Sequence, residues 1–191
     1  MKIAIFASGN GSNAQKIMAY FQNKAGISVA LLVASKRNAP VLDKAKAHQI
    51  PSLVLQKKRF YQTEELLQQL VISQIDFIVL AGFLWLVPAY LVRAYAKRII
   101  NIHPALLPKF GGKGMYGMNV HRAVVEAQES VSGITIHYVN EAYDEGSILF
   151  QASCPLTAED RAEDVARKVQ SLEHQYFSPI IEAILPKAVL A

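Results

Sequence analysis

Short apolar runs alternate with amphipathic segments along the first hundred residues of the chain. Residues 2–7 form a continuous apolar run of strand length, and a glycine-rich turn follows them. Residues 14–23 then carry apolar side chains at helical spacing. The same pair of patterns repeats, which predicts strands and helices in alternation. The predicted strands are 2–7, 27–34, 51–55, 76–81 and 98–102, and the helices between them are 14–23, 40–49, 63–73 and 88–96.

The pattern changes after Pro108. A glycine-rich stretch leads to a predicted helix at about 119–127, and two strand-like runs at 133–139 and 147–152 follow. The polar loop NEAYDEG joins these two runs, so they can pair with each other. The last predicted helix covers about 158–184, with a break expected before Pro179.

These elements predict an α/β fold in a single domain over residues 1–191. We expect a Rossmann-like, mostly parallel twisted sheet flanked by helices, with a C-terminal hairpin-like strand pair and a closing helix. The two halves of this domain are about residues 1–100 and about residues 101–191.

Composition narrows the class of protein. The chain is 52% hydrophobic and carries a net charge of +5, with its basic residues spread out rather than gathered in a stripe with aromatic residues. Nucleic acid is therefore not an expected partner. A single cysteine excludes an intrachain disulfide and suits a reducing compartment. No apolar run reaches the roughly 18 residues of a membrane span. We expect a cytoplasmic protein, a monomer or a homodimer.

The sequence INIHP places two polar residues at the end of a predicted strand. Pro104 cannot donate to a strand ladder, so the strand should stop near His103. Alternation along a strand puts Asn101 and His103 on one face, and ligands of open α/β sheets bind at the carboxyl ends of the strands. A capped turn with a loop histidine explains the motif equally well when it is considered alone.

An acidic motif, DEG, follows the next predicted strand. Its Asp144 lies 41 residues after His103, in the loop NEAYDEG. An amide, an imidazole and a carboxylate are what the transfer of a one-carbon acyl group to an amine needs: a donor for the oxyanion, a group that exchanges a proton, and a charge that orients it. A plain turn carboxylate before Gly146 is the alternative.

The first strand ends in a loop with three open interpretations. GNGSNA fits the form G-x-G-x-x-A of a dinucleotide site, but the second strand ends in Ser35, Lys36 and Arg37 without the usual carboxylate. A helix N-terminus at Ser12 and Asn13 can instead bind a single phosphate. A simple glycine-rich turn with a helix cap is the third possibility.

Taken together, the motifs resemble the phosphoribosylglycinamide formyltransferases, folate-dependent enzymes of purine synthesis in the formyltransferase superfamily. The matching segments are FASGNGSN, DFIVLAGF, INIHPALLPKF, HRAVV, GITIHYVNEAYDEG and SLEH. They span nearly the whole chain in the expected order. N-I-H-P with the later D-E-G indicates the superfamily, and SGNGSN favours this member of it.

The resemblance implies a phosphate-binding half over about residues 1–100, a catalytic and folate-binding half over about residues 101–191, and a role for each of several residues. It makes Asn101, His103 and Asp144 the catalytic residues. It assigns the substrate phosphate and ribose to Gly11, Ser12, Asn13 and Glu173. The folate contacts that it implies are Leu84, Trp85, Leu86, Val87, Asn101, Asn140, Glu141 and Asp144. Trp85, the only tryptophan, is placed to stack near the pterin.

The implied reaction moves the formyl group of 10-formyltetrahydrofolate to the amine of 5-phosphoribosylglycinamide (GAR), giving formyl-GAR and tetrahydrofolate. Asp144 would hold a protonated His103 and raise its pKa. The other histidines show no metal-ligand spacing, so no metal is expected, and His121 and Arg122 are poor candidates for essential chemistry. The glycine-rich residues 111–117 would form a lid or a plain surface extension.

Related enzymes are the closest alternatives. A methionyl-tRNA formyltransferase should carry a further C-terminal domain, and a formyltetrahydrofolate hydrolase a further N-terminal one, so we expect neither of these enzymes. A sugar formyltransferase explains SGNGSN less well. An NADP-dependent oxidoreductase and a non-catalytic nucleotide-binding module are the alternatives from other classes.

Overall fold

The computed structural model describes residues 1–188, which form seven strands and seven helices. The strands are β1 Lys2–Ala7, β2 Ser28–Ala34, β3 Ser52–Val54, β4 Phe77–Leu80, β5 Ile99–His103, β6 Val131–Tyr138 and β7 Ile148–Pro155. The helices are α1 Ser12–Phe21, α2 Val41–Ala47, α3 Lys57–Gln62, α4 Glu65–Ile72, α5 Ala89–Ala94, α6 Met118–Glu126 and α7 Ala162–Ala188.

All seven strands lie in one sheet, in the order β3-β2-β1-β4-β5-β6-β7. Neighbouring strands from β3 to β5 are parallel, whereas β6 is antiparallel to both β5 and β7. The chain builds outward from β1 to β3 and then returns to the other side of β1, so the direction of winding reverses between β1 and β4. Ligands of such sheets bind at this reversal, beside the carboxyl ends of the strands. The predicted α/β sheet and the C-terminal strand pair are confirmed.

Alternation along the buried strands gives the sheet a core on each face. One core contains Ile3 and Ile5 of β1 with apolar side chains of α1 and α7, such as Ile17 and Phe177. The other contains Phe6 and the side chains of α3, α4 and α5, together with Phe83 from the loop after β4. Because helices cover both faces, the polar ends of the strands are the accessible part of the sheet.

Helix α7 continues through Pro179, so the predicted break is wrong. A proline inside a helix costs about 3 kcal/mol. Phe177, Ile181 and Leu185 lie on either side of it and are 0–1% exposed. Burial of each such side chain contributes roughly 1.5–3 kcal/mol. Packing of this face on the sheet therefore outweighs the missing backbone hydrogen bond.

Helix α3 was not predicted, because its sequence lacks an amphipathic period. KKRFYQ buries only one side chain, that of Phe60, which is 2% exposed. Phe60 packs edge-on against Phe83, with ring centroids 5.8 Å apart. Tertiary contact through one aromatic ring thus fixes a helix that the sequence pattern does not indicate.

Neither a membrane span nor a metal cluster is found in the part of the chain that the structure describes. None of its helices is long and apolar enough to cross a bilayer. Within the same residues, no group of three or more histidine, cysteine, aspartate or glutamate side chains is arranged to hold a metal ion.

Gly133→Ala should destabilise the fold through the β6–β7 pair. A Cβ at Gly133 would overlap the carbonyl oxygen of Ala152 and approach Leu106 Cδ2 to 2.8 Å. Overpacking of this kind typically costs on the order of 1–3 kcal/mol. Denaturant unfolding measures the loss, and Gly9→Ala is the matched control because a Cβ there meets nothing within 4 Å. Equal stability of the two variants would contradict the packing described for β6 and β7.

Candidate active site

Strand β5 brings Asn101 and His103 to the carboxyl end of the sheet. The strand ends at His103 because Pro104 follows. Ile100 and Ile102 face one core of the sheet, so alternation turns Asn101 and His103 to the opposite face. The two side chains therefore lie together, as the sequence predicted.

Asp144 reaches this strand end from the loop between β6 and β7. Its backbone is left-handed, with φ +57°, which is uncommon for a residue other than glycine. Gly146 makes the tight turn possible, because a Cβ at this position would overlap the carbonyl of Tyr138. The turn aims the Asp144 carboxylate inward, where its side chain is only 11% exposed.

Four groups surround the Asp144 carboxylate. Oδ1 accepts a hydrogen bond from Asn101 Nδ2 at 3.3 Å, and Oδ2 accepts one from the Gly112 N–H at 2.9 Å. His103 Nδ1 lies 3.5 Å from Oδ2, and His137 Nε2 lies 3.6 Å from Oδ1. Burial alone would raise the pKa of Asp144, but the contacts to His137, His103 and Gly112 hold this pKa below its ordinary value of 3.8.

His103 is 3% exposed and is fixed through both ring nitrogens. Its Nε2 lies 2.8 Å from the carbonyl oxygen of Phe110, and because a carbonyl only accepts, Nε2 is the donor. Nδ1 then faces Asp144. A proton that arrives at Nδ1 would form a charge-assisted hydrogen bond to this carboxylate.

The pKa of His103 departs from the sequence-based expectation. Burial lowers it below the ordinary value of 6.5, although the Asp144 carboxylate and the Phe110 carbonyl act in the raising direction. The expected sign of the Asp144 effect is correct, but desolvation of a nearly inaccessible ring outweighs it. The free site therefore favours a neutral imidazole, which gains a proton only when compensating charge appears.

Asn101 lies between Asp144 and His137. Its Nδ2 is 3.2 Å from His137 Nε2 and 3.3 Å from Asp144 Oδ1, so both N–H groups are directed at acceptors within the protein. The Nδ1 of His137 in turn lies 2.8 Å from the Tyr138 carbonyl, to which it donates. Both hydrogen bonds of the amide are long, so an oxyanion in the cavity would compete for the same donor.

The loop that follows β1 forms a second group of polar positions. Gly11 has φ +69°, and α1 begins at the next residue. The N-terminus of this ten-residue helix therefore lies close to the carboxyl end of β1. Asn13 Nδ2 donates to Glu173 Oε2 of α7 at 3.0 Å, whereas the buried Asn13 Oδ1 has no hydrogen-bond partner among the described residues. Burial raises the pKa of Glu173, and the hydrogen bond from Asn13 opposes this only in part.

A cavity of about 650 Å³ connects the two groups. Its walls combine the loop after β1, the ends of β4 and β5, the glycine-rich loop and one face of α7. The predicted site residues that line it are Gly11, Ser12, Asn13, Leu84, Asn101, His103, Asp144 and Glu173. The structure thus gathers the predicted catalytic and phosphate residues around one space.

The other residues of the predicted folate contact lie outside the lining of this cavity. Trp85 packs against Phe60, with ring centroids 5.5 Å apart, and Val87 is 3% exposed. Leu86 is half-buried beside them. Asn140 Oδ1 accepts from the N–H of Ala142 at 3.1 Å, and Glu141 pairs with Arg93 at 3.1 Å on the surface. Their assignment to a folate site stays a prediction.

Sequence reasoning missed two histidines at this site. His137 has no expected role at the site from the sequence, yet the register of β5 and β6 pairs it directly with Asn101. His121 was set aside, yet it lines the cavity, is 6% exposed and has no partner for Nδ1 among the described residues. A usable signal existed for His137: Thr135 and His137 are polar at alternate positions of an otherwise apolar strand.

Stability should depend on pH through the buried imidazole of His121. Burial, assisted by the charge of His103, lowers the pKa of His121 below 6.5. Between this lowered pKa and about 6.5 the unfolded chain binds a proton that the folded protein does not, so stability falls as the pH falls through this window.

Urea unfolding at several values between about pH 7 and pH 5 measures this dependence. His121→Asn should lose stability less steeply than the wild type, because the variant lacks the titrating ring. His48→Asn, at a half-exposed position, is the control for the loss of a histidine side chain as such. An unchanged slope in His121→Asn would refute this effect of burial.

A family sequence model, the sequences of related proteins and a solved structure all indicate the same family. The sequence pattern described as "Formyl transferase" matches residues 1–181. A phosphoribosylglycinamide formyltransferase of Bacillus subtilis (strain 168) is 35% identical over 96% of this chain and 94% of its own length. The chloroplastic one of Arabidopsis thaliana is 42% identical over 98% of this chain, which spans 66% of that protein, just under two thirds.

A solved structure extends the similarity to the fold. The phosphoribosylglycinamide formyltransferase of Bacillus halodurans superposes with a TM-score of 0.86, at 38% identity, over 97% of this chain and 96% of that one. The chain therefore belongs to the formyl transferase family and, within it, to the phosphoribosylglycinamide formyltransferases.

Proposed function

We propose that the chain transfers the formyl group of 10-formyltetrahydrofolate to the amine of 5-phosphoribosylglycinamide, in purine nucleotide synthesis. One observation carries this proposal: a single cavity of about 650 Å³ has a helix N-terminus with Glu173 at one side and the Asn101, His103 and Asp144 cluster at another. The similarity to proteins named phosphoribosylglycinamide formyltransferase supports the choice of substrates.

The ribotide would bind with its phosphate at the N-terminus of α1. The free N–H groups of Gly11, Ser12 and Asn13 and the helix dipole favour an anion there. Glu173 lies behind Asn13 and can accept hydrogen bonds from the ribose hydroxyls. The raised pKa of Glu173 fits this role, because a carboxyl that gives up its proton less readily tolerates a neighbouring phosphate better.

The folate would occupy the space beside the loop after β4. Leu84 lines the cavity there, and the half-buried indole of Trp85 lies next to it with Leu86 and Val87. Aromatic side chains stack favourably on flat rings such as a pterin. Asn140 and Glu141 belong to the same proposed surface, and Asn101 and Asp144 would face the formyl end of the folate.

The chemistry would take place at the Asn101, His103 and Asp144 cluster. As the acceptor amine attacks the formyl carbon, negative charge grows on the formyl oxygen. Asn101 Nδ2 donates to this oxygen, exchanging one of its long internal hydrogen bonds for a stronger one to an anion. His103 accepts a proton at Nδ1 and is then stabilised by Asp144 at 3.5 Å.

Collapse of the tetrahedral intermediate would break the bond between the formyl carbon and the folate nitrogen. Water would complete the path of the proton from the attacking amine to this leaving nitrogen. Asp144 stays ionised because its pKa is low, so it stabilises the imidazolium rather than taking the proton itself. No step requires a metal.

We also propose that the chain is a single domain, about 1–100 for phosphate binding and about 101–191 for catalysis and folate binding. A cytoplasmic location and a monomeric or homodimeric state complete the proposal. The single cysteine, half-buried at position 154, suits a reducing compartment.

Asp144→Asn should lower kcat by roughly 10²–10⁴-fold, because the amide cannot stabilise a protonated His103. KM for the ribotide should stay within about twofold, since its phosphate binds at the other side of the cavity. Asp160→Asn, which changes a carboxylate that pairs with Lys168 and does not line the cavity, is the control. Steady-state assays of formyl transfer measure both constants, and a near wild-type kcat in Asp144→Asn would remove this carboxylate from the mechanism.

Ser12→Asp should raise KM for the ribotide by roughly tenfold or more, because a carboxylate in the first turn of α1 repels the phosphate. The KM for the folate should change much less. Ser28→Asp adds the same charge at the exposed start of β2, at the opposite end of the sheet, and should leave both constants near wild type. A KM for the ribotide that is equal in both variants would argue against phosphate binding at this loop.

A further inference from the structure

The loop after β1 and the loop after β4 are joined by one buried hydroxyl. Ser8 directly follows β1 and precedes the proposed phosphate loop, residues 9–13. Its side chain is 2% exposed. Across the sheet, the loop after β4, residues 82–87 (the folate loop), begins beside it.

Ser8 holds the folate loop at two points. Its backbone N–H donates to the Gly82 carbonyl at 3.0 Å, and its Oγ accepts from the N–H of Leu84 at 3.0 Å. The second bond links residues that are 76 positions apart in the sequence. Together the two bonds fix the backbone on either side of Phe83.

Apolar packing fixes the residue between these points. The Phe83 ring is 8% exposed and lies edge-on to Phe6 of β1, with centroids 5.4 Å apart. Gly82 makes the turn with φ +75°. Gly82, Phe83 and Leu84 all line the cavity. The Ser8 hydroxyl therefore holds the backbone of a loop residue that is part of the site.

A second hydroxyl occupies the remaining acceptor position of Ser8 Oγ. Ser35 Oγ, at the end of β2, lies 2.7 Å from Ser8 Oγ, and Ser35 is 6% exposed. Oγ of Ser8 thus accepts from both Leu84 and Ser35, which uses both lone pairs of a hydroxyl oxygen. Because unpaired polar groups are costly when buried, this arrangement resists displacement.

We propose that Ser8 is a positioning residue that sets the folate loop in register with the phosphate loop, so that the two substrates meet at Asn101 and His103. This inference rests on the proposed function. Ser8 touches neither substrate. Its hydroxyl acts through the Leu84 backbone, and its place in the chain ties that backbone to the start of the phosphate loop.

Ser8→Ala tests the hydroxyl alone, because alanine keeps the backbone N–H bond to Gly82. Loss of the Leu84 bond should raise KM for 10-formyltetrahydrofolate about three- to tenfold, with kcat and the KM for the ribotide each within about twofold. Such a split separates the loss of a positioned loop from general loosening, which would change both KM values.

Two variants serve as controls. Ser132→Ala removes an equally buried hydroxyl, 2% exposed, that has no hydrogen-bond partner among the described residues and lies on β6 away from both loops. It should leave all three constants near wild type. Ser35→Ala keeps the Leu84 bond in place and should raise the folate KM less than Ser8→Ala does. A folate KM unchanged in Ser8→Ala, or raised equally in Ser132→Ala, would overturn the proposal.

Hydrogen exchange tests the same inference without catalysis. Backbone amides of residues 82–87 should exchange faster in Ser8→Ala than in the wild type, and at the wild-type rate in Ser132→Ala. Titration with 5-formyltetrahydrofolate, followed by Trp85 fluorescence, should show weaker binding in Ser8→Ala only. If the wild type transferred no formyl group, the proposed function would fail while exchange at residues 82–87 still decided the role of Ser8. Equal exchange rates of these amides in Ser8→Ala and Ser132→Ala would refute the role of Ser8.

Discussion

The buried carboxylate of Asp144 is the group on which the arrangement of this site depends. An ionised carboxylate that is largely removed from water costs several kcal/mol unless charge or hydrogen bonds compensate it. Hydrogen bonds from two separate segments compensate it: the amide of Asn101 on β5 and the backbone N–H of Gly112. The groups around the site are therefore arranged so that they stabilise one buried charge. The left-handed backbone of Asp144 directs this carboxylate toward them.

The same carboxylate gives His103 its chemical character. Burial favours the neutral ring, while Asp144 at 3.5 Å favours the charged one, and burial prevails in the free protein. An approaching amine or a developing oxyanion changes this balance, because either brings a proton or a charge into the cavity. The free site therefore holds a neutral His103, and it stabilises the protonated ring when the formyl group is transferred.

The sequence predicts the polar end of β5 and the turn before α1, but not the groups that surround them in the folded protein. Pro104 and strand alternation were sufficient to place Asn101 and His103 together, and the glycine-rich motif after the first apolar run was sufficient to predict the turn before α1. The carbonyl of Phe110 and the N–H of Gly112 could not be foreseen, because backbone groups have no sequence signature. His137 entered the site through antiparallel register, and burial reversed the expected pKa of His103, since both are properties of the assembled fold.

The fate of an isotopically labelled formyl carbon distinguishes transfer to the ribotide from hydrolysis. Protein is mixed with 10-formyltetrahydrofolate that carries the label and with the ribotide, and the carbon is followed by NMR. The account predicts that the label appears as a formamide on the glycinamide nitrogen, only when both substrates are present, and that His103→Ala abolishes this signal. Labelled formate released without the ribotide, or label that stays on the folate of well-folded protein, would contradict it.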